Sequence, residues 1–112
     1  MVKRSYNIDV VLHALSDPTR RQVVERLSQG PASVSDLAKP FSMAMPSFMQ
    51  HLDILESTQL IYTEKVGRVR YCYLNQNPFS VMESWLQAQK SLWETRLNQL
   101  DKFLLKTKGK KI

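Results

Sequence analysis

From Asn77 to Leu105 one side of the chain returns every three or four positions and is apolar at each step but Gln89. Phe79, Met82, Leu86, Trp93, Leu97, Leu100 and Leu104 step along one side, and Trp85, Leu92 and Phe103 widen it. That spacing belongs to one amphipathic helix, with Asn77 as its cap and Pro78 at its first position. At 1.5 Å per residue it reaches roughly 40 Å, more than the width of a small domain. No later element of this chain covers its far half. An apolar stripe with two tryptophans then calls for a partner. The expectation is a homodimer, with Val11 and Leu12 of the first helix beside Leu86, Trp93, Leu97, Leu100 and Leu104 of the last.

The 112 residues suit one domain with one core. No apolar run spans a bilayer, and the N-terminus lacks a signal-peptide pattern, so a cytoplasmic protein with no membrane partner is expected. The single Cys72 has no cysteine to pair with in its own chain, as suits a reducing compartment. A net charge of +6 suggests nucleic acid, but its placement weakens that reading. Residues 102–112 hold five of the sixteen Lys and Arg residues and no acid, leaving eleven bases against ten acids elsewhere. The position of charge within the body is therefore more informative than its sum.

Ile8, Val11, Leu12 and Leu15 recur at helical spacing in a first helix around Tyr6–Leu15. In "SDPTRRQVVERLSQG" Asp17 caps a second helix, Pro18 opens it and Gly30 lies just past its end. Arg20 and Arg21 read as surface or interhelical charges, with a phosphate contact by one of them as the alternative. "GPAS" reads as a turn. "SVSDLAKPF" is a short third helix capped by Ser33 and stopped by Pro40. A fourth starts near Met45 or Pro46 and ends near Ser57, with Phe48, Leu52 and Leu55 on its apolar side. Its other side carries Ser47, Met49, Gln50 and Asp53, where a purely structural helix would offer long Lys and Glu. The pair of helices forms a helix-turn-helix pattern.

The residue preferences then change. Ile61, Tyr62, Thr63, Val66, Val69, Tyr71 and Tyr73 favour strands, and Gly67 sits where a turn is needed. A hairpin over 60–65 and 69–74 follows, with Lys65, Arg68 and Arg70 grouped around its tip and no acid between them.

In this order the segments "LSDPTRRQVVERL", "SVSDLAKPF", "MPSFMQHLDILESTQLI", "VGRVRYCYL" and "ESWLQAQKSLWETRLNQLD" resemble the winged helix-turn-helix repressors of the ArsR/SmtB type. The resemblance covers residues 8–103, and its last segment is similar to a branch without obvious metal sites. It implies a mainly α fold with a β-hairpin wing and a long C-terminal dimerisation helix. Residues 1–105 form the domain, with the helix-turn-helix at about 34–57, the wing at about 60–74 and the dimerisation helix at about 77–105. Residues 106–112 are expected to form a disordered basic tail. The chain departs from the family at Ala44, where a capping Ser is common, and at Gln59, where Gly is common. Ser42 is the alternative cap if the helix begins earlier.

The expected DNA contacts are Met45, Ser47, Met49, Gln50 and His51 on the recognition helix. Gln pairs two ways with adenine, Ser meets base or phosphate, and Met49 suits a thymine methyl. For His51, donation to phosphate stands beside a local hydrogen bond that fixes the helix. Asp53 is placed just off the groove. Lys65, Arg68 and Arg70 are expected to track the DNA backbone or enter the minor groove.

No metal and no cofactor are expected. The third helix has no Cys, the last helix has no His, and His13 and His51 are far apart. No phosphate loop, carboxylate pair or activated nucleophile points to an enzyme. The reading is a dimeric, sequence-specific repressor that binds an inverted repeat in double-stranded DNA. Two alternatives are a protein-interaction module and a sensor, redox-responsive through Cys72 or holding a small organic effector beside Tyr6, Trp85 and Trp93.

Overall fold

The computed structural model describes residues 7–110. The chain forms two units, residues 1–81 and 82–112. The first contains α1 (Ile8–Ala14), α2 (Pro18–Leu27), β1 (Ala32–Ser33), α3 (Val34–Ala38), α4 (Met45–Ser57), β2 (Ile61–Val66), β3 (Val69–Leu74) and the opening turn of α5 (Asn77–Lys110). The remainder of α5 is the second unit. Tyr6, from the proposed effector pocket, lies outside the described residues.

The expected caps hold at two helices. The Asp17 side chain accepts from the Arg20 amide at 3.1 Å, with Pro18 in the first turn of α2. Ser33 Oγ accepts from the Asp36 amide at 3.1 Å. The start of α5 differs. Asn77 is already helical, and its amide donates to Asn75 Oδ1 at 3.2 Å. An asparagine side chain that accepts from the amide two residues on makes its own turn, so Asn75, not Asn77, organises this entry.

The "GPAS" turn contains a strand that sequence reasoning missed. Ala32 pairs with Cys72 and Ser33 with Tyr71, giving a three-stranded antiparallel sheet in the order β1-β3-β2. Two residues are too few to show alternation, so this strand exists through its pairing with β3. The hairpin closes through Val66↔Val69, one residue later on β2 than expected. Gly67 has φ 64 at the first turn position, where glycine tolerates the left-handed backbone that a two-residue hairpin requires.

The core of the first unit is Val11, Ala14, Val23, Val24, Leu27, Leu37, Phe48, Leu52, Leu55, Leu60, Ile61 and Cys72. Phe48, Leu52 and Leu55 supply the inner face of α4 as their spacing predicted. Val11 corrects the expected interface. It is 1% exposed and lies with Ala14 on the inner side of α1, so it belongs to the core of its own chain. Val10 and Leu12 are the outward apolar residues of that helix.

In the second unit, every residue from Glu83 to Thr107 is exposed. The helix continues to Lys110, through a segment expected to be a disordered tail. Leu and Lys are strong helix formers, and no proline interrupts them.

Candidate nucleic-acid interface

The outer side of α4 is built by default. Once Phe48, Leu52 and Leu55 turn inward, helical geometry leaves Met45, Ser47, Gln50 and Asp53 outside, all exposed, with Met49 half-buried beside them. Pro46 lies in the first turn of α4. Ala44 occupies the cap position and makes no side-chain bond there, and Ser42 does not replace it. The first amides of the helix are therefore left for water or an anion. At the other end Gln59 takes φ 66, the left-handed conformation that a Gly would adopt at lower cost.

The sheet brings the wing to the same side as α4. Alternation along β2 and its pairing with β3 put Ile61, Thr63 and Lys65 on one face with Leu74, Cys72 and Arg70. Ile61 and Cys72 are buried on that face, and Thr63 Oγ1 donates to Glu56 Oε2 of α4 at 3.1 Å. Lys65 and Arg70 extend this face toward the tip, and Arg68 lies in the exposed turn. Met49 and Asp53 share a cleft of about 220 Å³ with Thr63 and Arg70. The opposite face carries Tyr62 stacked on Tyr73, with ring centroids 5.0 Å apart.

His51 points elsewhere. Its Nδ1 lies 3.0 Å from Arg20 Nη1 of α2. Arg20 is 7% exposed, and its Nε also donates to the Ala14 carbonyl at 2.6 Å. Sequence reasoning had Arg20 as a surface or interhelical charge or a phosphate contact; it is interhelical and buried. Arg21 stays exposed and donates to the Leu15 carbonyl at 2.8 Å. Both arginines thereby satisfy carbonyls left open at the end of α1. Glu56 and Thr63 were also missed. The signal available was parity, because Thr63 lies two residues before Lys65 and must share its face.

On the far helix, Trp85, Leu86, Leu92, Trp93, Leu97, Leu100, Phe103, Leu104 and Leu105 are each between 41% and 70% exposed. Among the described residues, no three His, Cys, Asp or Glu side chains gather as a metal site, and no helix is long and apolar enough to cross a membrane.

Residues 15–62 match the sequence family described as a helix-turn-helix domain. The chain is 33% identical over 76 residues to the transcriptional repressor SdpR of Bacillus subtilis, an alignment covering 68% of this chain and 84% of that protein. A crystal structure of an ArsR family transcriptional regulator is 54% identical, with a TM-score of 0.75, over 78% of this chain and 96% of that one. The chain belongs to the ArsR family of transcriptional regulators. The fold extends to more distant proteins. The solution structure of a homodimeric winged helix-turn-helix DNA-binding domain from Mycobacterium bovis superposes with a TM-score of 0.60 at 22% identity, covering 76% of this chain and 81% of that one. The fold is a winged helix-turn-helix, with the β2–β3 hairpin as its wing.

Proposed function

We propose that this ArsR-family regulator is a homodimeric repressor that binds an inverted repeat in double-stranded DNA. The carrying observation is the shared orientation of two DNA-reading elements. The base-reading side of α4, with Met45, Ser47, Met49 and Gln50, is free, and the wing cations Lys65 and Arg70 lie on the sheet face bonded to α4. In that arrangement α4 enters the major groove while Lys65 and Arg68 meet phosphates. His51 contributes by holding the helix through Arg20, with its other ring nitrogen left to donate. Asp53, close to Arg70 in the cleft, sits off the groove.

Dimerisation rests on α5. Nine large apolar side chains exposed along one helix are a surface that water disfavours, and a second copy is the partner that repeats it. Two recognition helices held about one duplex turn apart read a palindrome. Repression then follows from occupying promoter DNA; the B. subtilis relative is named a transcriptional repressor.

The test is selection of bound duplexes from a random pool by the full chain. Enrichment of an inverted repeat is expected, together with a dimer mass in sedimentation. A pool that stays random, with a monomer at micromolar concentration, would overturn the reading.

A further inference from the structure

Arg70 stands among the three wing cations, yet its side chain is already engaged. Its Nη1 donates to Thr63 Oγ1 at 2.9 Å, and that hydroxyl lies 3.1 Å from Glu56 Oε2. The direction of this chain follows from chemistry. A guanidinium has only donors, an ionised carboxylate has only acceptors, and a hydroxyl has one proton and spare lone pairs. Thr63 must accept from Arg70 and give its proton to Glu56. Each of the two bonds has a charged end, which makes it stronger than a neutral one. The three residues sit on three elements: the last turn of α4, strand β2 and strand β3. Turn geometry fixes the hairpin internally, but its attitude toward the recognition helix needs bonds between the two. The chain from Glu56 to Arg70 supplies them at the edge of the cleft that Met49 and Asp53 line.

We infer that Thr63 is a positioning residue: through Glu56 and Arg70 it sets the wing against the recognition helix, and Arg70 acts by this bond and not as a phosphate contact. This rests on the DNA-binding reading above. Specific binding needs helix and wing engaged at once in one register, whereas non-specific binding needs only charge near phosphate. Loosening the link therefore lowers affinity for the operator and spares affinity for random duplex.

The experiment measures binding of the full chain to its selected operator and to a random duplex across a salt series. Thr63→Val, which keeps the shape and removes the hydroxyl, is expected to weaken operator binding about three- to tenfold, the worth of a hydrogen bond. Random-duplex affinity and the salt slope stay as in the parent. Thr63→Ser restores the hydroxyl and recovers operator affinity. Arg70→Ala behaves like Thr63→Val, while Arg68→Ala flattens the salt slope by about one unit. If Thr63→Val is too unstable to assay, Glu56→Ala must give the same operator-selective loss. Parental operator affinity in Thr63→Val, or in Glu56→Ala, overturns the inference, and so does an Arg70→Ala slope matching that of Arg68→Ala. A parent chain with no preference for any duplex instead removes the regulator reading beneath it.

Discussion

Arg20 Nη1 meets His51 Nδ1 at 3.0 Å and so ties α2 to α4. Arginine has no acceptor, so His51 Nδ1 accepts and the ring proton sits on Nε2. Asp17 Oδ2 is 3.6 Å from the same nitrogen, too far for a hydrogen bond. Arg20 also holds the Ala14 carbonyl, so one buried guanidinium joins the end of α1, its own helix and α4. Arg20→Ala strands that carbonyl and is expected to cost about 2 kcal/mol. A double-mutant cycle with His51→Ala should return a coupling of about 1 kcal/mol in urea unfolding at fixed protein concentration. Additive losses would show that the contact carries no stability.

Asp17 gives acid sensitivity. Burial by itself would raise its carboxyl; hydrogen bonds from the Arg20 and Thr19 amides and the Arg20 charge help hold it below the ordinary carboxylate value. A depressed carboxyl contributes stability above its unfolded pKa, and that stability is lost as pH falls through the folded value. Asp17→Asn keeps a capping oxygen and removes the charge. At pH 7 it should be less stable by about 0.5 kcal/mol, the worth of an anion at a helix start. Unfolding curves from pH 7 to 3 should converge below about pH 4.

Ala44 leaves α4 without a side-chain cap although its backbone, at φ −65 and ψ 150, already has the extended cap conformation. Ala44→Ser is expected to stabilise the chain by about 1 kcal/mol. A melting temperature unchanged or lowered would contradict that.

Gln59 closes the same helix at φ 66. Its carbonyl accepts from Asn75 Nδ2 at 2.8 Å, which keeps the backbone in place whatever the side chain. Gln59→Gly relieves the left-handed strain but loosens the unfolded chain, so the net gain is smaller, about 0.5 kcal/mol. Urea midpoints with an unchanged m-value would measure it.

Cys72 is fully buried in β3. Burial, aided by the Glu56 charge and opposed by Arg70, pushes its thiol up to about 11. A thiol held protonated at neutral pH reacts slowly. Labelling by a thiol reagent at pH 8 should proceed at the rate of unfolding, and oxidant should leave DNA affinity unchanged. Rapid labelling of the native chain would revive the redox-sensor reading.

The amino-acid pattern alone determined a good deal here, because local geometry depends on neighbours in sequence. Spacing of Phe48, Leu52 and Leu55 set the inner face of α4 and hence the outer set with Ser47 and Gln50. Asp17 and Ser33 marked two helix starts, and Gly67 placed the hairpin turn within a residue. The period of the last helix announced an apolar stripe. Tertiary structure decided what depends on partners distant along the chain. Ala32–Ser33 became a strand only because β3 lay beside it. Val11 was drawn into its own core, while Leu12, next in sequence, remained outside. Arg20 became a buried tie because the α1 carbonyls and His51 converged on it, and Arg70 met Thr63 because antiparallel pairing put both on one face. A guanidinium carries no mark in sequence of whether it will face phosphate or protein; the acceptors that the fold brings within 3 Å make that choice.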